Sequence, residues 1–133
     1  MNHFEVISWE EQPLAYLIRA ELSPDKTTFL TPNDVNFQVG FVVYPAGGEV
    51  KRHVHKKLER HITGTTELIM IKTGHCEIDI YNDARELVAT RALAPGDMIL
   101  TVSGGHGFRM NEDTTLVEVK QGPYSGVDEK DRF

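Results

Sequence analysis

Between residues 51 and 74 the chain reads KRHVHKKLERHITGTTELIMIKTG, setting three imidazoles, His53, His55 and His61, close in sequence to two carboxylates, Glu59 and Glu67. Imidazole nitrogen and carboxylate oxygen are the donors that hold borderline divalent ions, and the same groups move protons near neutral pH. The chemistry on offer is metal binding or acid–base catalysis. Which of these side chains can act together depends on the elements that carry them.

If residues 49–55 are extended, alternation puts His53 and His55 on one face and Val54 on the other. A lone His-X-His is equally what two half-exposed polar positions on a strand look like, so further donors must converge. Glu67 heads the next apolar segment, ELIMIKTG, where Glu67, Ile69 and Ile71 share one face and Leu68 and Met70 the other. A carboxylate there is costly to bury unless a cation or a donor compensates it, and a metal held by the two histidines would do so. A fourth donor, His106, follows two glycines in APGDMILTVSGGHGFRM and is read as a turn residue between two strands. Three imidazoles and one carboxylate suit Fe(II), Mn, Ni, Zn or Cu(II), with positions left for water or substrate.

Short segments of β composition recur along the chain, among them LAYLIRAEL, FQVGFVVYP, EVKRHVH, EIDIY, DMILTV and TLVEVKQ, bounded by Gly, Pro, Asn or Asp. That spacing predicts an all-β sandwich or barrel. Only VISWEEQP has the character of a helical turn. Reversals are expected at PAGGE (45–49), YNDAR (81–85) and APGD (94–97). No repeat or linker interrupts the pattern, and 133 residues with 40% hydrophobic content are read as one domain, 1–133, able to bury a core without disulfides. Within it, 1–36 supply amino-terminal strands and 121–133 a polar, turn-rich carboxy-terminal tail.

Fourteen basic against twenty acidic residues give a net charge of −6, a field that repels phosphate backbones and anionic lipid; nucleic acid and membrane are excluded as expected partners. The basic cluster Lys51, Arg52, Lys56, Lys57, Arg60 is a solvated face or a steering patch for an anionic small molecule. Cys76, the only cysteine, is expected to be a buried, inert thiol. Apolar runs are too short to span a bilayer and the amino terminus lacks a signal-peptide pattern, so the expected location is cytoplasmic.

With these residues in view, the sequence resembles the cupin superfamily. Gly47 is followed by five residues and His53-Val54-His55, Glu67 by six residues and Gly74, and Pro95-Gly96-Asp97 leads to His106. The two motifs fall within 47–74 and 95–111. Eleven residues separate His55 from Glu67, more than the usual cupin spacer, and VSGGH lacks the proline of the second motif. Glu59 fits the usual spacer, but Thr66 stands where the motif's closing glycine would follow it. The resemblance implies a double-stranded β-helix (jelly-roll) barrel, one divalent transition metal (Fe, Mn, Ni or Zn), and His53, His55, Glu67 and His106 as its ligands.

The same resemblance places a small-molecule pocket at the barrel mouth, with Gln38, Tyr44, Phe108, Glu118 and Lys120 as candidate lining. The loop KKLERHITGTT would add Lys57, Arg60 or His61. His61, Glu59 and Tyr44 are the candidate catalytic groups. The implied function is a metal-dependent isomerase or oxygenase acting on a sugar-like or carboxylated substrate. HVHKKLE is also similar to cupins that isomerise nucleotide sugars without metal, and a non-catalytic sugar-binding module uses the same pocket. The ending LVEVKQGPYSGVDEKDRF resembles small cupins associated with bacterial surface-polysaccharide genes. A homodimer is expected, with PLAYLIRAEL as the spare apolar strand.

Overall fold

The computed structural model describes residues 2–122 and 130–133. The chain gathers into two compact units, Met1–Leu22 with Thr65–Phe133 in the first and Ser23–Gly64 in the second. The described residues contain no helix, and every strand pairing is antiparallel.

The first unit holds eight of the strands: β1 (Phe4–Trp9), β2 (Gln12–Ile18), β5 (Glu67–Thr73), β6 (Cys76–Tyr81), β7 (Leu87–Leu93), β8 (Met98–Thr101), β9 (Gly105–Met110) and β10 (Thr115–Lys120). They form a five-stranded sheet, β1-β2-β8-β5-β10, and a three-stranded sheet, β7-β6-β9. Period-two patterning explains the division of faces. Leu17, Ile99 and Ile69 lie side by side across the larger sheet, and Ile78 and Ile80 on the smaller one bury with them in a single core. Each such side chain, fully buried, stabilises the fold by about 2 kcal/mol. Cys76 is 1% exposed within this core, as expected of an inert thiol, and burial pushes its pKa up.

VISWEEQP is not a helical turn. Trp9 pairs with Gln12, so Glu10 and Glu11 form a two-residue hairpin loop, and both take positive φ (47° and 68°). The apolar residues that flank them, Ile7 and Leu14, are core strand positions, and their burial overrides the local preference of the glutamates. Such a loop favours Asn-Gly. Replacing Glu10-Glu11 with Asn-Gly is expected to stabilise the protein by about 1–2 kcal/mol, raising Tm by several degrees in thermal unfolding.

Two ion pairs frame the smaller sheet. Arg91 on β7 donates from Nε and Nη2 to the two carboxylate oxygens of Glu5 on β1, at 2.9 and 2.6 Å. Those bonds hold the Glu5 carboxyl below the usual range, and hydrogen bonds from Thr90 and Arg109 do the same for buried Asp79. Both carboxylates favour the folded state when charged. Their stabilisation is complete above about pH 5 and is lost as the pH falls through the lowered folded values, below about pH 4. Thermal unfolding from pH 7 to 3 should show Tm falling most steeply below pH 4, and less steeply in Glu5→Gln.

The second unit contains β3 (Thr28–Phe29) and β4 (Gly40–Phe41), paired with each other. The expected strand over 49–55 is absent: residues 42–64 carry no strand, and those from 42 to 62 are exposed. Val50, Val54 and Leu58 would share one strand face, but Arg52 and Lys56 alternate with them on it, so that face is not apolar, and the three are 57%, 88% and 66% exposed. Neighbouring cations add repulsion along any pairing edge. FQVGFVVYP likewise keeps only Gly40–Phe41 as strand.

The APGD turn is a clamp. Gly96 takes φ +89°, and Asp97, 4% exposed, accepts hydrogen bonds from the backbone N–H of Ala20 at Oδ1 and of Ala94 at Oδ2, and from Arg19 Nη1 at Oδ2. It thus fixes the end of β2 against the start of β8.

Candidate functional site

Strand register accounts for what gathers at one end of the first unit. On β5, Glu67 continues the buried face of Ile69 and Ile71, and its partner across the sheet is Thr101. On β9, His106 lies opposite Ile80 and Phe108 opposite Ile78, which turns both toward the core face of the smaller sheet. Glu67 Oε1 and His106 Nε2 stand 3.7 Å apart. That is too long for a direct hydrogen bond and open to a bridging group.

His106 is a strand residue and not the turn residue expected from its glycines. Gly104, at φ +71°, takes the turn, where a Cβ would lie 2.2 Å from the carbonyl oxygen of Tyr81. Strand formation is what aims the imidazole inward. Burial pushes the His106 pKa down, opposed by the nearby carboxylates of Glu67 and Glu118.

The pair opens on a cavity of about 560 Å³, lined also by Thr101, Ser103, Tyr81 and Phe108. Of the expected lining, Phe108 is present, packed edge-on to His106 at 5.9 Å. Lys120 pairs in register with Glu67 and Glu118 with Ile69, and Lys120 Nζ lies 3.8 Å from Glu118 Oε2, but neither lines the cavity and the Glu118 side chain is 44% exposed. Tyr81, Thr101 and Ser103 were not expected. For Thr101 the signal was available, since MILT places it on the face of Ile99; Tyr81 reaches the cavity beside Gly105, whose missing side chain leaves the room.

The remaining candidates belong to the second unit. His53 and His55 pack their rings edge-on at 5.1 Å, with His53 Nδ1 2.7 Å from the carbonyl oxygen of Lys51. They share a neighbourhood without a strand to align them. Lys57, Glu59, Arg60 and His61 are exposed coil, Tyr44 is 53% exposed, and Gln38 is exposed and donates to Asn33. Among the described residues no three His, Cys, Asp or Glu side chains gather as a metal-binding group.

Glu67 and His106 nevertheless fit as two ligands of one ion. Donors each about 2.1 Å from a shared ion lie at most about 4.2 Å from one another, which 3.7 Å satisfies. Nitrogen with oxygen is the donor set expected for Fe, Mn, Ni or Zn.

No protein-family model, curated protein or solved structure matches the chain.

Proposed function

We propose that the protein is a cupin-type enzyme whose barrel-end cavity holds one divalent transition metal and takes a small, polar, sugar-like or carboxylated substrate. The observation that carries this reading is the convergence of Glu67 and His106 from two different sheets onto one cavity. His53 and His55 are the ligands that the sequence adds to that pair. A bound metal would polarise a carbonyl or vicinal hydroxyls. Thr101 and Ser103 offer hydroxyls to orient the substrate, and Phe108 an apolar wall.

The test is elemental analysis of tag-free protein, followed by titration with Fe(II), Mn(II), Ni(II) and Zn(II) and a screen of sugar phosphates and nucleotide sugars. One equivalent of metal per chain is the expected result. Turnover without metal would instead select a second reading, acid–base isomerisation by the His106–Glu67 pair, whose ring nitrogen and carboxylate oxygen stand 3.7 Å apart at the cavity. Binding without turnover would select a sugar-sensing module.

We further propose that two chains associate. Val117 and Val119 lie on β10, an edge strand of the larger sheet, and are 38% and 52% exposed on the face opposite Glu118. Light scattering should return about twice the 15.0 kDa chain mass at micromolar concentration.

A further inference from the structure

The residues at 130–133 line the same cavity as Glu67 and His106. Their exposed backbone carries one large apolar side chain, Phe133, and its ring is seated in a niche. Tyr81 meets it edge-on with centroids 5.0 Å apart, and the Arg85 guanidinium lies 5.3 Å from its centroid. Beneath it is Gly105, where a Cβ would stand 3.1 Å from the ring. A Cβ at 105 would press on the ring and shift it by a few tenths of an ångström. Phe133 still keeps 62% of its surface in water, so the seat is shallow.

We propose that Lys130–Phe133 is a strap across the cavity, latched by Phe133, and that access to Glu67 and His106 requires the latch to open. Three features on different elements make the seat: the end of β6 gives Tyr81, the turn after it gives Arg85, and the first residue of β9 gives Gly105. The two ring contacts that seat Phe133 are each worth about 1 kcal/mol, strong enough together to favour closure and weak enough to yield to a ligand. The inference rests on the cavity alone and does not depend on metal binding.

The probe is diethyl pyrocarbonate, a small electrophile that modifies accessible imidazoles, applied to the full chain with chelator present in every sample. Modification of His106 and of exposed His75 is followed by mass spectrometry. Phe133→Ala is expected to speed modification of His106 roughly tenfold, the factor that loss of two such ring contacts corresponds to, and to leave His75 unchanged. Phe133→Trp should restore the slow rate, because the larger ring retains both contacts. Arg85→Ala should give an intermediate rate. Equal His106 rates in wild type and Phe133→Ala would overturn the strap. So would equal acceleration at His75, which would mark general loosening of the fold.

Discussion

Replacing Asp97 with alanine is expected to cost about 3 kcal/mol of stability, read as a lower urea midpoint at unchanged slope. The carboxylate is 4% exposed, and its loss strands the N–H groups of Ala20 and Ala94. Arg19 suffers less, because its side chain is 29% exposed and Nη1 keeps the carbonyl of Ala92 at 2.6 Å. Asp97→Asn should be nearly as harmful, since both carboxylate oxygens accept and an amide can supply only one acceptor. A loss below about 1 kcal/mol would mean that the backbone bonds from Ile71 to Asp97 and from Gly96 to Ile71 hold the turn unaided.

Glu67→Gln and His106→Ala are each expected to weaken metal binding about a hundredfold or more, while Glu59→Gln stays within about twofold of wild type. Changes to groups that merely support a ligand already cost about 10- to 100-fold, so loss of a ligand should cost at least that. Glu67 is fixed in a strand between Thr101 and Lys120, and no ordering of the chain is needed to present it. Glu59 is exposed coil and would have to be ordered each time an ion bound. Competition against a chromophoric chelator ranks the variants. The reverse ranking would move the site to the loop and make His61 a ligand candidate.

What could be read from the sequence follows the physics of periodicity. Where a short apolar segment is bounded by turn residues, as in ELIMIKTG and EIDIY, the strand was legible, and its period of two sets Glu67 on the face of Ile69 and Ile71. The segment 49–55 was misread because the face opposite His53 and His55 carries Arg52 between Val50 and Val54, too polar a face to drive burial. The helical turn at VISWEEQP was misread because two glutamates at positive φ contradict their own preferences, and only the pairing of Trp9 with Gln12 reveals why. His106 was placed in a turn by its glycines, whereas the turn ends one residue earlier than they suggest. The contribution of 130–133 to the cavity had no signal in sequence at all, since a polar tail's destination depends on tertiary contacts. The rest of the expected polar tail falls largely on residues 123–129, which lie outside the described residues.

The order of strands in the larger sheet has a kinetic consequence. β2 is an interior strand, yet its neighbour β8 begins at Met98, about eighty residues further along the chain. During synthesis the β1–β2 hairpin can close at once, but its apolar edge must wait for most of the chain to be made before it finds its partner. Pairings so distant in sequence make folding slow, on the millisecond-to-second scale typical of β proteins, and leave Leu14 to Ile18 exposed to other chains meanwhile. Low temperature or slowed translation should therefore raise the soluble yield more than any change at the cavity.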